Sequence, residues 1–469
     1  MALPCNLILN TDSYKASHYL QYPPNTTYVS SYIESRGGQY NPVVFFGLQM
    51  FLKEYLSKPI SLADIDEAET IFKHHGLPFN RQGWEYILAR HNGYLPLEIE
   101  AIPEGMVLPF SNVMVQIINT DPQCYWLTSY IETALLRAIW YPTTVATHSW
   151  HCKSIIRRYL EETSDSLKEL PFKLHDFGAR GVSSFESAHL GGIAHLVNFA
   201  GTDTLSALLA AARYYHEPMA GYSIPAAEHS TICCWGKEHE KDAYSHILQI
   251  FSGEKKMVSV VSDSFDIWHA INNIWGQQLH EQVKNNLGIL VIRPDSGEPA
   301  KIVTQTIELL MTRFGFKTNS KGFRLLPDNI RIIQGDSVNI NSIADCLKSM
   351  KKRGISADNV TFGMGGALLQ KFNRDTLEFA MKANAIERNG KWHDVFKDPI
   401  TDHSKISKRG RLALIKDQTG IHTVRKEQVT SENLLQPVFR NGELLIDWNF
   451  KQIRALAESA HLLPEDRKS

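Results

Sequence analysis

Asp203, Asp263, Asp295 and Asp336 each stand in a polar turn that follows a short strand-like run, as in Met257-Val258-Ser259-Val260-Val261 before Asp263 and Ile330-Arg331-Ile332-Ile333 before Gly335-Asp336. Carboxylates so placed can hold ribose hydroxyls, a magnesium ion or the polar edge of a base. Gly335, Gly363, Gly365 and Gly366, read as flanking helix N-termini, offer backbone N–H groups to a phosphate. Arg180, Arg293 and Arg374 lie close to these turns in sequence, and a guanidinium fork suits bidentate phosphate contacts. Arginines, acids and glycine-rich turns in one site fit a phosphorylated sugar bound with a metal.

His229 follows Glu228 just after the strand-like Tyr222-Ser223-Ile224-Pro225 and precedes a helix, a place that suits a general base or nucleophile. His175 reads as structural, because its neighbour Asp176 can simply orient it. Phe177 and Tyr14 can sandwich a flat ring, although each aromatic taken alone reads as core. In any single turn an Asp most often caps the following helix. The functional reading gains from the number of turns, not from any one of them. The run from Lys397-Asp398-Pro399 through Lys405, Lys408, Arg409 and Arg411 is basic. It reads as a solvated loop unless it folds toward the glycine-rich turns, where it would add positive potential for a pyrophosphate.

These residues need a frame that brings the turns together. Strand-like runs alternate with helical stretches between about 151 and 380, and each run ends in a turn: at Asp176, Asp203, Glu228, Asp263, Asp295, Asp336 and Gly363. Such alternation predicts parallel strands with helical crossovers. Seven units suit a closed or nearly closed (β/α) barrel, in which every strand's C-terminal end opens on one face. No G-x-G-x-x-G follows a strand, which weakens a dinucleotide reading. Residues 1–150 mix helices with strand-like stretches, and residues from 380 to 469 read as short strands and loops. The two ends are expected to form one α+β domain.

Composition narrows the class. Of 469 residues, 43% are hydrophobic and 21% charged, so a large core is expected. Lys plus Arg (49) nearly cancels Asp plus Glu (50), and a net charge of −1 speaks against a general binder of nucleic acid or anionic membrane. Six cysteines, Cys5 and Cys233-Cys234 among them, form no CxxC pair and read as reduced thiols. The N-terminus does not read as a signal peptide, and no apolar run approaches the roughly 20 residues that span a bilayer. The expected compartment is the cytoplasm.

Several stretches are more specific: Thr11-Asp12-Ser13-Tyr14-Lys15, Lys173-Leu174-His175-Asp176-Phe177-Gly178, Pro225-Ala226-Ala227-Glu228-His229-Ser230-Thr231, Ile292-Arg293-Pro294-Asp295-Ser296-Gly297, Ile333-Gln334-Gly335-Asp336 and Val395-Phe396-Lys397-Asp398-Pro399. With these, the chain resembles, nearly end to end, the nicotinamide phosphoribosyltransferases, which are type II phosphoribosyltransferases of the nicotinate/nicotinamide phosphoribosyltransferase family. The resemblance implies an irregular (β/α) barrel with an additional α+β domain. It implies transfer of phosphoribosyl from phosphoribosyl pyrophosphate to nicotinamide, with Mg2+ and with ATP that phosphorylates His229. It implies Phe177 stacked on the pyridine, Tyr14 of a partner subunit on the other side, and Asp203 accepting from the carboxamide. Arg293 would lie near the ring, Asp295 and Asp336 on ribose hydroxyls, and Gly365 and Gly366 on the 5′-phosphate. Arg36, Arg374, Lys382 and Lys397 would meet phosphates, partly across a homodimer interface, and Asp263 would support His229. No residue is assigned to the metal.

Elementary chemistry bears on this. A carboxylate facing the ring substituent favours an amide, which donates, over a carboxylate, which it repels. A phosphohistidine needs one neutral ring nitrogen as nucleophile and a carboxylate on the other, and Asp263 and Glu228 are both candidates. The chain departs from the family where Arg36 runs directly into Gly37-Gly38-Gln39-Tyr40, and at Met364, Ala367 and Ala179, positions that bear on the base tunnel. Competing readings are a nicotinate phosphoribosyltransferase, a non-catalytic binding protein on the same barrel, and an aldolase-like barrel. The last wants a Schiff-base lysine at a strand end, and the clear strands have none.

Overall fold

The structure is a computed structural model and describes residues 6–401, 405–429 and 431–462; Cys5 lies outside them. The chain divides into two units. One comprises residues 1–147, 213–217 and 372–469, the other residues 148–212 and 218–371.

The second unit is built on six parallel strands in the order Gly201–Thr202, Leu174–Asp176, Val360–Met364, Ile330–Gln334, Ile289–Arg293, Met257–Val261. The strands are short; Met257–Val261, Ile289–Arg293 and Ile330–Gln334 are rich in Val and Ile, and central residues (Val260, Leu290, Ile292, Ile332, Phe362) are buried, as expected for parallel strands covered on both faces. Segment 222–226 joins the two free edges: Tyr222 bridges Gly201 and Ala226 bridges Ser259, both parallel. Four backbone hydrogen bonds make the seam. Thr202 N–H donates to Tyr222 O (3.0 Å), Tyr222 N–H to Ala200 O (2.8 Å), Ala227 N–H to Ser259 O (2.8 Å) and Ser259 N–H to Pro225 O (2.9 Å). Pro225 has no N–H and interrupts any regular ladder here. The ring of seven strand positions is the irregular (β/α) barrel that the alternation predicts.

Helices follow the strands with caps legible in sequence. Glu298 caps Pro299–Phe314 by accepting from Ala300 N–H (3.1 Å) and Lys301 N–H (3.0 Å), with Pro299 at the first helical position. Asn339 and Ser342 form a capping box on Ile340–Lys352. Asp266 caps the turn starting at Ile267 through Trp268 N–H and His269 N–H.

The first unit has a seven-stranded antiparallel sheet, ordered Lys391–Asp394, Phe379–Arg388, Thr26–Ser35, Val113–Asn119, Leu97–Ala101, Gln436–Arg440, Glu443–Leu444. Ten-residue strands from the two chain ends pair along their length, Ile33 opposite Met381 and Tyr32 opposite Lys382. Three features differ from the sequence expectation. The first unit resumes at 372 rather than 380. Residues 213–217 belong to it because Tyr215 OH donates to the buried Glu104 carboxylate (2.8 Å), while Tyr214 O accepts from Gln49 Nε2 (2.7 Å) and Lys53 Nζ (2.8 Å). The C-terminal region, read as strands and loops, contains a helix, Phe450–Ser459, which opens on an Asn449–Gln452 capping box and buries Phe450, Ile453 and Ala457.

Candidate active site

Parallel strands put the C-terminal turns of the second unit on one face of the barrel. There the predicted carboxylates are free of the duty that most commonly explains such residues. Asp266, Glu298 and Asn339 cap the helices after Asp263, Asp295 and Asp336, so those three acids are not helix caps.

Two of the acids sit in trios of like composition. In the first, Asp203 Oδ1 receives His175 Nε2 (2.9 Å) and the Ser223 hydroxyl. In the second, Asp263 Oδ1 receives His229 Nε2 (3.0 Å) and its Oδ2 receives Ser296 Oγ (2.5 Å). A carboxylate only accepts, so the neutral imidazole in each trio carries its proton on Nε2 and its lone pair on Nδ1. Burial works against charge on Asp203. The hydrogen bond and field of His175, the Ser223 hydroxyl and the field of Arg293 outweigh it and hold the carboxyl below its ordinary pKa.

The His175 arrangement corrects the sequence reading. Neighbours on a strand point to opposite faces, so Asp176 cannot orient His175. Asp176 is buried and instead accepts from Gly178 N–H (2.7 Å) and Thr202 Oγ1 (3.1 Å), while His175 turns to Asp203. Glu228 likewise does not serve His229: its carboxylate takes the Ser230 hydroxyl, and its backbone shares a capping box with Thr231.

Asp295 lies 3.6 Å from the Arg293 guanidinium. Burial raises its pKa, Arg293 opposes the rise, and the charges of Asp263 and Asp336 add to it. The three acids therefore share one electrostatic neighbourhood, in which Arg293 and His229 oppose their mutual repulsion. Arg293 Nε is buried without a hydrogen-bond partner among the described residues. The Asp336 carboxylate takes Ser337 Oγ (2.8 Å) and is otherwise exposed.

Phe177 is anchored by its own N–H to Met364 O (3.0 Å), and its ring lies on the Cα of Gly363: a Cβ there would come within 2.0 Å of the ring. Gly363 belongs to the strand Val360–Met364 and makes room for an aromatic; it does not open a helix. Gly335, too, lies well before its helix starts at Ile340, wedged so that a Cβ would meet Asp295 Oδ1 at 2.9 Å. Gly365 and Gly366 open the short helix Gly366–Leu369, and the space over Gly366 is free. Arg180 is exposed in the turn Ala179–Gly181. A cavity of about 470 Å³ adjoins Asp203, lined also by Ala179, Phe185, Thr204 and Ser206.

The remaining predicted residues lie in the first unit. Lys382 has its pKa lowered by burial, then by the charges of Arg36, Lys397 and Arg374 against the opposing pull of Glu132. Four of the expected phosphate ligands thus share one electrostatic neighbourhood. Arg36 Nε bonds Glu34 (3.0 Å), and its buried Nη2 has no hydrogen-bond partner among the described residues. Arg374 pairs with Asp375 at 2.8 Å. Tyr14 is exposed, with Lys15 Nζ 5.3 Å from its ring centre. The basic run is closed on itself by Lys397 N–H to Ser407 Oγ (3.0 Å), with Lys405 exposed, Lys408 on Glu34, Arg409 over Phe396 and Arg411 over Trp392.

Sequence reasoning missed His175, Ser223 and Ser296. Ser223 and Ser296 lie inside stretches already singled out, and a hydroxyl next to a strand-end acid is the signal that was there to use. Among the described residues no group of three His, Cys, Asp or Glu side chains is placed to hold a metal ion. Among the same residues, no helix is long and apolar enough to cross a membrane.

Comparison with known proteins places the chain in a family. The profile of the nicotinate phosphoribosyltransferase (NAPRTase) family matches residues 172–443, and that of the nicotinamide phosphoribosyltransferase N-terminal domain matches residues 6–99. The chain is 53% identical over 465 residues to a nicotinamide phosphoribosyltransferase of Xanthomonas campestris, covering 97% of this chain and 99% of that one. It is 31% identical to the protein of that name from Acinetobacter baylyi, covering 97% of each. The solved structure of a nicotinate-nucleotide pyrophosphorylase from Pyrococcus furiosus superposes with a TM-score of 0.63 at 16% identity, covering 98% of this chain and 96% of that one, which shows a shared fold. On profile, identity and coverage together, the chain belongs to the nicotinate phosphoribosyltransferase family, among its nicotinamide phosphoribosyltransferases.

Proposed function

We propose that this chain transfers phosphoribosyl from phosphoribosyl pyrophosphate to nicotinamide, giving nicotinamide mononucleotide and pyrophosphate, with ATP hydrolysis coupled through a phosphohistidine at His229. The observation that carries the choice of base is Asp203, a carboxylate held below its ordinary pKa that lines a cavity together with Ala179, Phe185 and Thr204. An amide donates to it; the carboxylate of nicotinate is repelled by it.

The pyridine nitrogen gives its lone pair to C1 of the ribose as the C1–oxygen bond to pyrophosphate breaks. Positive charge develops on the sugar and ends on the pyridinium. Asp295 and Asp336, the proposed ribose ligands, stabilise it as fixed negative charges. Phe177 presents the flat face on which the pyridine stacks. Gly365 and Gly366, with open space over Gly366, are proposed to take the 5′-phosphate, and Arg180 and Gly335 are proposed as further ribose or phosphate contacts. Arg36, Arg374, Lys382, Lys397 and Lys405 are proposed to take up phosphate and pyrophosphate.

In the ATP half-reaction, the Nδ1 lone pair of His229 attacks the terminal phosphorus and ADP leaves. Asp263 holds the Nε2 proton and balances the charge that the ring gains. Among the described residues no group of three His, Cys, Asp or Glu side chains is placed to hold a metal, and we assign magnesium no protein ligand; Mg2+ would enter as the complex of the polyphosphate substrates. A homodimer that brings Tyr14 of one subunit to the other's site is supported by exposed Phe185, Leu205 and Leu209 near the cavity. The cytoplasm is the proposed compartment, in keeping with free thiols at Cys124, Cys152, Cys233, Cys234 and Cys346.

The test is base conversion with phosphoribosyl pyrophosphate and magnesium, offering nicotinamide or nicotinate, with and without ATP, for wild type and His229→Ala. Preferred conversion of nicotinamide, stimulated by ATP only when His229 is present, is the expected result. Preference for nicotinate overturns the Asp203 assignment, and turnover of neither base returns the chain to a binding role.

A further inference from the structure

The hydrogen bonds to Asp203 are arranged asymmetrically. Both donors, His175 Nε2 and Ser223 Oγ, meet the same oxygen, Oδ1, and Oδ2 accepts no hydrogen bond among the described residues. Turning the carboxylate about its Cβ–Cγ bond breaks both contacts at once, so two donors on one oxygen fix which oxygen faces outward. The donors are themselves placed from different elements. His175 comes from the strand Leu174–Asp176, and Ser223 from the segment that closes the barrel.

His175 has little freedom. Its side chain is 13% exposed, whereas that of Asp203 is 48% exposed. Its ring packs on Gly201, where a Cβ would come within 2.8 Å of Nδ1, and lies 5.0 Å from the Phe177 ring centre. The group proposed to stack on the base therefore also braces the histidine that holds the acceptor.

We propose that His175 and Ser223 are positioning residues that set base selectivity, pinning Asp203 through Oδ1 so that Oδ2 stands as a fixed acceptor for an N–H on the ring substituent. This rests on the reading of Asp203 as the amide acceptor. A fixed acceptor rewards a donor and excludes a second carboxylate. An acceptor free to turn would let water mediate the contact and would discriminate less. Neither residue touches the reacting atoms, so their loss is expected to show in recognition of the base rather than in the chemical step.

The experiment measures kcat and KM for nicotinamide and nicotinate separately in Ser223→Ala, Ser223→Thr, His175→Phe and Asp203→Asn, and in the double variant Ser223→Ala with Asp203→Asn. Ser223 is exposed, and its truncation leaves no buried gap. We expect Ser223→Ala to lower the nicotinamide-to-nicotinate ratio of kcat/KM about tenfold, mostly through a higher KM for nicotinamide. The threonine variant keeps the hydroxyl and restores the ratio. His175→Phe keeps a ring on Gly201 without the donor and moves the ratio the same way. On the Asp203→Asn background, Ser223→Ala changes the ratio no further. An unchanged ratio in Ser223→Ala and His175→Phe, with Asp203→Asn collapsing it, overturns the positioning role alone. Equal losses for both bases do the same and mark a structural role. A ratio that survives Asp203→Asn removes the amide-acceptor reading and this proposal with it.

Discussion

The two Ser–Asp–His trios at the barrel mouth use the same three side chains and are exposed in opposite order. Around Asp203 the histidine side chain is 13% exposed and the carboxylate 48%; around Asp263 the carboxylate is 5% exposed and His229 46%. The member left open can meet a substrate, and the member shut in can only orient its neighbour. On the proposed function, the acid is the working group in one trio and the histidine its support; in the other the roles are exchanged. Composition alone does not assign roles to such a trio. Burial does, by deciding which group keeps a free lone pair facing outward.

That division can be broken or sharpened by experiment. The largest effect is expected for Asp263→Asn. It keeps the shape but loses the charge that steadies His229, so ATP-stimulated synthesis should fall about a hundredfold or more while synthesis without ATP falls far less. ADP release and nucleotide formation, followed side by side, decide this, and equal losses in both would erase the distinction between the trios. Ser296→Ala should be milder, about three- to tenfold in the ATP-linked rate, since one hydroxyl is lost from a carboxylate that keeps its histidine. Its nicotinamide-to-nicotinate ratio should stay as in wild type, in contrast to Ser223→Ala. A shift in that ratio would show that the trios are not separate.

The smallest effect concerns pH. Asp203 has its pKa below the ordinary carboxylate value, so its charge is present above that value and is lost only as pH falls through a still lower one. Base preference should therefore stay level from about pH 8 to about pH 5. A ratio that declines inside this window would assign selectivity to another group.

Much of the barrel was legible, because strands such as Met257–Val261, Ile289–Arg293 and Ile330–Gln334 are runs rich in β-branched residues that stop at a Gly or Asp turn, and such punctuation is local. Its closure was less so. Tyr222-Ser223-Ile224-Pro225 looks strand-like, yet nothing in it says that Tyr222 pairs with Gly201 and Ala226 with Ser259. The first unit's sheet was harder still, since Thr26–Ser35 pairs with Phe379–Arg388, more than 300 residues away, and no local pattern carries that partner. In the site, the strand-end acids and His229 were visible as residue types in turns. The support of His175 for Asp203 was not, because adjacency suggested Asp176 and strand alternation forbids it. Gly363 was misread for a related reason: a glycine next to other glycines resembles a phosphate cradle, and only the Phe177 ring against its Cα shows its use.

The seam has a dynamic consequence. The other barrel strands are held by ladders, whereas segment 222–226 is held by two isolated bridges, and local opening of a fold starts where cooperative protection is thinnest. Ser223 rides on this segment, and His229 follows it by a few residues. One trio thus takes its serine from the loosest part of the ring and the other its histidine from the helix that directly follows it, while both take their acid from the end of a laddered strand. A single loosening mode would separate donor from acceptor in both at once, so warming or mild denaturant should cost the molecule base recognition and ATP coupling together, well before the barrel itself comes apart.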